Sequence, residues 1–572
     1  MKKNELFIFK FIFFILAAGF FSSCTNPLGS GSSLDSNYLS SHASIDLSQS
    51  TLSSSPSSLP PDGVTTSTLT VTLRNSAGQI YVGKSVTLNS SRGASDIILP
   101  AAAITNASGI ATFTVKSSSA GVSIYSVTDS TDSATLPVTT SLLYTNPFVA
   151  QSGVAGYTTY AYAIAVDGSG NTYAGGFTSG NLVSGSGAAT GTQDYFLAKY
   201  NSSGVQQWVK QVGLAGKIAK ILSIASDSSG NTCVTGSSNG ALATGFTSSG
   251  NYDFFIARYD SSGNLKWTQQ LATAASGLYS SGTIGSMTVA MDSLGNCIAG
   301  GPTTTNLVSG GSSIGNYDFF ITKYNSLGTQ MWINEFGESG KYSVGYQVAL
   351  DNIGNIYFSG RTTGNLVTGS GSATGTYDLA LMKLNSATGS LIWTQQLGFS
   401  GYYVYSQGTA TDSLGNIYVS GYTNANIVTG SGGSTGTADA FLIQFNSAGA
   451  VNWVKQLGVT SYLSTGRQVA VDSANNVYIS GYTYGNLVSG SGASTGNNDA
   501  MIVKFDSTGN QKWIQQFGIA GVTTDGFSST ADSFGNIYFT GMTAGNMITL
   551  SGASTGLYDY YLVSCNYNGI CR

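Results

Sequence analysis

The sequence predicts an all-β protein, a small β-sandwich followed by a seven-bladed β-propeller. Three observations carry that expectation. A phrase of the form Asp-Ser-x-Gly-Asn, followed by an alternating strand, recurs seven times at intervals of 59 to 65 residues. Each interval holds four strand-like runs, and six of the fourth runs carry a Trp. With 75 Gly, 33 Tyr and only 8% charged residues, the composition suits short strands joined by polar turns.

Residues 1–23 place Lys2, Lys3 and Lys10 before an apolar run from Phe11 to Phe21, too short to span a bilayer. This reads as a secretory signal peptide. The following Phe21-Ser22-Ser23-Cys24 resembles a bacterial lipobox, with Phe where Leu is usual. The resemblance implies that Cys24 is lipidated, making the chain an outer-membrane lipoprotein of the cell envelope exposed at the surface. The competing reading is ordinary cleavage near Ser23. Residues 24–58, rich in Ser and Gly without apolar period, read as a flexible lipidated tether. The only histidine, His42, lies in it. Ser–His–Asp, Cys–His and His-ligated metal chemistry are therefore excluded from the folded domains.

Residues 59–141 alternate as strands do, in STLTVTLRN, KSVTLNSS, GIATFTVKS and VSIYSVTD, with turns at Asn75-Ser76-Ala77-Gly78 and Asn106-Ala107-Ser108-Gly109. This predicts a sandwich without a disulfide. The run PPDGVTTSTLTVTLRNSAGQIYVGKSVTL resembles bacterial Ig-like domains of the invasin and intimin type. That resemblance implies a spacer holding a terminal binding domain away from the membrane. Asp62 and Asp129 read as turn or cap residues rather than metal ligands.

Residues 142–572 hold the repeats. One unit shows the four strands, here lettered A to D: YSVGYQVALD, GNIYFSGRT, DLALMKLNS and SLIWTQQLG. Trp208, Trp267, Trp332, Trp393, Trp453 and Trp513 sit in strand D, and the seventh unit lacks its own. Phe148-Val-Ala-Gln-Ser-Gly aligns with Trp208-Val-Lys-Gln-Val-Gly, so residues 142–151 are expected to close the ring as the outermost strand of the last blade. The motifs AVDSxGNxYxxGxT, DxFLxKxNxxG and WxxQLG resemble the beta-propeller repeat (SBBP) of bacterial surface proteins. The family implies the fold and leaves function poorly defined.

Of the 26 acidic residues, seven open the A–B turn, from Asp167 to Asp532, and seven open strand C: Asp194, Asp253, Asp318, Asp378, Asp439, Asp499 and Asp559. One carboxylate per turn is too few for calcium, and a catalytic site needs no sevenfold copies. The Asp-Ser-x-Gly-Asn aspartate is expected to be a turn residue, the Trp ring to pack between blades, and the basic ring of strand C (Lys199, Arg258, Lys323, Lys383, Lys504) to snorkel at a blade surface. Cys565 and Cys571 flank a turn, and a disulfide and free thiols are both open there. Cys233 and Cys297 fall at different strand phases and are expected in the core, facing opposite ways.

Repeated positions build the ring, so recognition is expected where the copies diverge. The D–A connections diverge most. They gather Tyr157, Tyr160, Tyr162, Lys217, Lys220, Tyr279, Lys341, Tyr342, Tyr346, Tyr402, Tyr403, Tyr405, Tyr462 and Arg467 at one end of the propeller. Tyrosine is favoured at recognition surfaces, and equally these residues can fill the strand A core. The net charge of −4 excludes a basic nucleic-acid face. The expected function is adhesion or binding, by a monomer held by a lipid anchor, of an extracellular protein or glycan. No metal, cofactor or catalytic residue is expected. A carbohydrate-active propeller enzyme and a passive envelope scaffold are the alternatives.

Overall fold

The computed structural model describes residues 49–572, apart from 76, 184–190, 274–286, 309–315, 368–374, 429–435, 489–497, 520, 548–555 and 572. Cys24, His42 and Tyr279 lie outside the described residues. Two sheets face each other in the sandwich. One takes Thr51–Ser55, Ser67–Thr72, Ile110–Ser117 and Asp96–Leu99 in spatial order, the other Ser58–Leu59, Ala134–Tyr144, Gly121–Asp129, Ser85–Ser90 and Ala103–Ile104. Alternate residues, including Leu69, Val71, Phe113, Val115, Tyr125 and Val127, form the core between them.

Its limits differ from the sequence reading at both ends. Thr51–Ser55 lies inside the segment read as tether, yet it pairs antiparallel with Ser67–Thr72. Leu52 is its one apolar residue packed on the core, so composition hides an edge strand held mainly by backbone hydrogen bonds. Leu142 to Tyr144, read as part of the closing strand, instead finish Ala134–Tyr144; all three are buried, and the Tyr125 and Tyr144 hydroxyls meet at 3.0 Å.

Seven four-stranded antiparallel sheets follow. The first runs Thr159–Val166, Thr172–Thr178, Asp194–Tyr200 and Gln206–Val212, with A innermost and D outermost. The last holds Thr524–Ala531, Ile537–Thr543 and Asp559–Cys565, and its fourth strand is Val149–Ser152, with Gln151 opposite Tyr561. Phe148 N–H donates to Ser564 Oγ at 2.8 Å. Strands A of the first and last sheets touch through Tyr162 and Phe527, whose ring centroids are 5.3 Å apart. The arrangement is a β-propeller closed by its N-terminal strand.

The repeated residues bind neighbouring blades together. Five of the six Trp cover a glycine in the next C–D turn: a Cβ at Gly263, Gly328, Gly389, Gly509 or Gly569 would press on Trp208, Trp267, Trp332, Trp453 or Trp513, whereas at Gly449 it would meet Gln395. All five glycines have φ between +70° and +86°, where only glycine is unstrained. At Gly204 the covering ring is Phe148, in the place of the seventh Trp. The basic ring of strand C does not snorkel. Lys199, Arg258, Lys323 and Lys504 donate to the C–D turn carbonyls of Ser261, Ser326, Ser386 and Tyr567 in the next blade, at 3.2, 2.8, 3.3 and 3.1 Å. Lys323 and Lys504 are buried between sheets and Lys199, Arg258 and Lys383 partly so, and the neighbouring carbonyl supplies a partner.

The A–B aspartates are turn residues with a further task. Asp532 accepts from Phe534 N (2.9 Å), Asn536 N (2.9 Å), Asn536 Nδ2 (2.8 Å) and Tyr538 Oη (3.0 Å). Tyr173, Tyr357, Tyr418 and Tyr478 donate to their own turn aspartates in the same way. Cys233 and Ile298 replace that Tyr in the second and third units. Cys233 is joined to Cys297 in a disulfide between adjacent sheets, which corrects the reading of two separate core thiols. Their phases are opposite, as expected, but opposite faces of neighbouring blades are the faces that meet. A second disulfide joins Cys565 to Cys571.

The strand C aspartates serve the other end. Gln211 Nε2 donates to Asp194 Oδ2 (2.9 Å), and its Oε1 accepts from Leu182 N (2.8 Å). Gln396, Gln456, Gln516 and Gln151 repeat this on Asp378, Asp439, Asp499 and Asp559. In the third unit the residue is Glu335, which accepts from Leu307 N at 2.7 Å and has no N–H to give Asp318. Burial, and then the Asp318 charge, push the Glu335 carboxyl above its usual range. A raised acid stabilises the fold below its unfolded pKa and loses that contribution as pH climbs through the folded value. Glu335→Gln should therefore leave the melting temperature unchanged near pH 4 and raise stability by about 1 kcal/mol at pH 7. Thermal denaturation across pH checks this, and a gain that does not grow with pH would contradict it.

Candidate functional site

Strand alternation puts the A–B and C–D turns at one end of the propeller and the D–A and B–C connections at the other. The sandwich occupies the first end: Ser57 Oγ donates to Phe534 O (2.7 Å) and Thr145 Oγ1 to Ser202 O (2.6 Å). Both acceptors are turn residues, and Phe534 is buried there. The divergent D–A end thus faces away from the sandwich.

Each described D–A connection is a tight turn that presents one residue. Tyr157, Lys217, Lys341, Tyr402, Tyr462 and Val522 each donate their N–H to the carbonyl three residues earlier, at 2.9 to 3.0 Å. The residue before each has positive φ: Gly156, Gly216, Gly340, Gly401 and Gly521, with Ser461 the exception to glycine. Carbonyls of the same turns are held by the start of strand C, as in Thr376 N to Tyr402 O (2.6 Å) and Leu557 N to Tyr157 O (2.8 Å). The outward tips are rigidly placed, and Tyr157, Tyr402 and Tyr462 stay about half exposed, at 48, 47 and 50%.

Three residues on, the chain turns inward. Tyr160, Lys220, Tyr405 and Asp525 hold equivalent places near the top of strand A, and Tyr162, Tyr346, Gln407, Arg467 and Phe527 lie deeper, lining a channel cavity of about 60 Å³. Tyr162 and Tyr346 are buried, so the structure assigns them to the channel wall and not to an exposed rim. Tyr403 is half-buried and stacks on Tyr405 at 4.7 Å, while Lys341 and Tyr342 are exposed. Burial pushes the Tyr160 and Tyr405 hydroxyls up to about 12, so both stay neutral donors at physiological pH. Lys220, over the Phe177 ring at 4.7 Å, is lowered by burial, and Asp525, beside Arg467, is raised by it.

Strand B adds residues that the sequence reading did not single out. Arg361 lies over Tyr405 (4.3 Å), Tyr377 (4.8 Å) and Tyr346 (5.5 Å); Tyr422 and Tyr482 occupy the matching place in the next two units. The signal was present, since this strand B position varies from Phe177 through Ser237, Pro302 and Arg361 to Met542. Among the described residues no group of three His, Cys, Asp or Glu could hold a metal, and no helix is long and apolar enough to cross a membrane.

The comparisons agree with this geometry in part. Residues 49–142 match the family model of the bacterial Ig-like domain, group 1. Residues 148–182, 207–242, 392–427, 452–487 and 512–547 match that of the beta-propeller repeat. Each repeat match runs from strand D across the D–A turn into strands A and B. No curated protein matches the chain. Among solved structures, the D00–D0 domain of intimin is 23% identical over 17% of this chain and 46% of that one, with a TM-score of 0.15. Invasin, a bacterial integrin-binding protein, is 14% identical over 65% and 63%, with a TM-score of 0.17. The α-L-arabinofuranosidase Arb93A of Fusarium graminearum is 9% identical over 60% and 92%, with a TM-score of 0.32. The chain thus spans less than half the length of the intimin structure.

Proposed function

We propose that this protein is a surface-exposed lipoprotein of the bacterial cell envelope whose propeller captures an extracellular protein or glycan at its D–A end, with the Ig-like domain as spacer. The observation that carries the reading is the placement of variation. Positions that repeat are spent on turns and on contacts within and between blades, whereas the divergent residues are presented together, on braced turns, at the end opposite the sandwich. Exposed tyrosines on rigid turns offer large contact area at low entropic cost. Four of the five cysteines are paired in two disulfides, which leaves Cys24 for the lipid and fits an oxidising compartment. No catalytic role is assigned, as the described domains hold only Glu335 and Glu338 as glutamates and contain no histidine.

Changing Tyr157, Tyr402 and Tyr462 together to Ala should lower binding to cells or extracellular matrix at least about tenfold, a modest loss for three interface tyrosines. Their exposure predicts a melting temperature within about 2 °C of the parent. Full binding by the folded triple variant would overturn the assignment.

A further inference from the structure

Three cations belong to the D–A end of alternate blades, Lys220 from the second unit, Arg361 from the fourth and Arg467 from the sixth, and of these Arg467 lines the channel cavity. None forms an ion pair with a described residue; the ion pairs among described residues involve Lys84, Arg92, Lys199, Lys266, Lys323 and Lys512, all away from this end. Aromatic rings take the guanidinium faces: Tyr405 and Tyr377 for Arg361, Tyr482 (4.9 Å) and Phe527 (5.1 Å) for Arg467. Stacking leaves the in-plane N–H edges to be satisfied, yet the buried Nε of both arginines has no hydrogen-bond partner. A buried donor without an acceptor costs about 1–3 kcal/mol, so each arginine keeps an edge that an incoming acceptor can satisfy, and beside Arg467 the Oε1 of Gln407 is left to accept from a hydroxyl. The acid nearest Arg467 is Asp525, itself bonded to Asn498, and the carboxylates opening strand C at this end are engaged by glutamine and backbone N–H groups.

We propose that the channel mouth binds an acidic glycan, one carboxylate being held by Arg467 at the cavity, with Arg361 and Lys220 as separate cations for the polymer's other carboxylates. This deepens the binding reading above and rests on it. The planar fork of arginine matches a carboxylate through two parallel N–H bonds, a geometry an ammonium cannot reproduce. The cavity lined by Arg467, Gln407, Tyr162 and Tyr346 is about 60 Å³, several times the roughly 10–15 Å³ that one water needs. Outside it the half-exposed rings of Tyr157, Tyr402 and Tyr462 offer flat faces that suit the C–H face of neighbouring sugars. An extended acidic peptide, by contrast, depends on backbone hydrogen bonds, and the groups presented at the mouth are side chains.

The test uses the full folded chain with three probes: hyaluronan, the same polymer with its carboxyls reduced to alcohols, and a poly-glutamate peptide. Hyaluronan is expected to bind at least about tenfold more tightly than the reduced polymer, with affinity falling as salt rises. Arg361→Gln with Arg467→Gln should abolish that preference, and Arg467→Lys should reduce it partly because charge remains and the fork is lost. The comparison of the two polymers on the parent chain needs no variant, so misfolding of the double variant leaves it decisive. Equal binding of both polymers, a preference that survives in the folded double variant, or tighter binding of poly-glutamate would each overturn the proposal. Loss of the carboxylate preference alongside tyrosine-dependent capture of cells sinks this subsite and spares the function above. Capture that ignores the rim tyrosines sinks the function itself.

Discussion

Deleting residues 149–152 is expected to unfold the propeller as a whole, with the melting temperature falling by more than about 10 °C and aggregates appearing on size-exclusion chromatography. The deletion strips the last sheet of its outer strand and exposes the edge of Asp559–Cys565. It also removes Gln151, whose Nε2 donates to Asp559 Oδ2 (2.9 Å) and Gly545 O (2.9 Å) and whose Oε1 accepts from Met547 N (2.8 Å). These bonds tie residues about 400 positions apart, so they are formed only once the ring is complete. Phe148→Ala is the milder probe. It leaves the ladder intact but uncovers Gly204 and the Tyr538 ring, 6.3 Å away, and should cost about 2–4 kcal/mol. A deletion variant that melts within a few degrees of the parent would show that the strand decorates the ring without closing it.

Asp532→Ala should destabilise the protein by about 3–5 kcal/mol, among the largest effects of any single substitution here. The carboxylate is buried and accepts four hydrogen bonds, so its loss strands Tyr538 Oη and two backbone N–H groups where water cannot reach them. Asp227→Ala, at the same place in the motif, should cost only about 1 kcal/mol. There the tyrosine is replaced by Cys233, and Ser229 N and Asn231 N sit nearer to solvent. Chemical denaturation of the two variants measures the difference. Equal losses would mean that the aspartate matters only for its turn, and that the tyrosine bond adds nothing.

How far the sequence could be read follows from the period of each feature. The strands and turns were legible because side-chain alternation and Asp-Ser-x-Gly-Asn are local, and the closing strand because Phe148 repeats the phase of Trp208. What lay between blades was not. The Cys233–Cys297 link, the reach of Lys199 or Lys504 to the next turn and the stacking of Arg361 all depend on which sheet faces which, and no window along one strand reports that. The Ser-rich strand Thr51–Ser55 was missed for a different reason, since its contribution is made by peptide groups that every residue shares. At the D–A end, the turn tips were legible as divergent residues, whereas the assignment of Tyr162 and Tyr346 to the channel wall required knowing that strand A is innermost.

The chain leaves the sandwich at Tyr144 and enters the propeller directly through Val149–Ser152. Under the proposed function, tension between a captured partner and the N-terminal segment would pass along that strand, parallel to its axis. Pulled this way, its bonds to Asp559–Cys565 are sheared together and not peeled one at a time, and the Cys565–Cys571 staple sits beside the point where the load enters. The join that completes the ring is therefore also the element that would bear mechanical strain when the molecule holds on under flow.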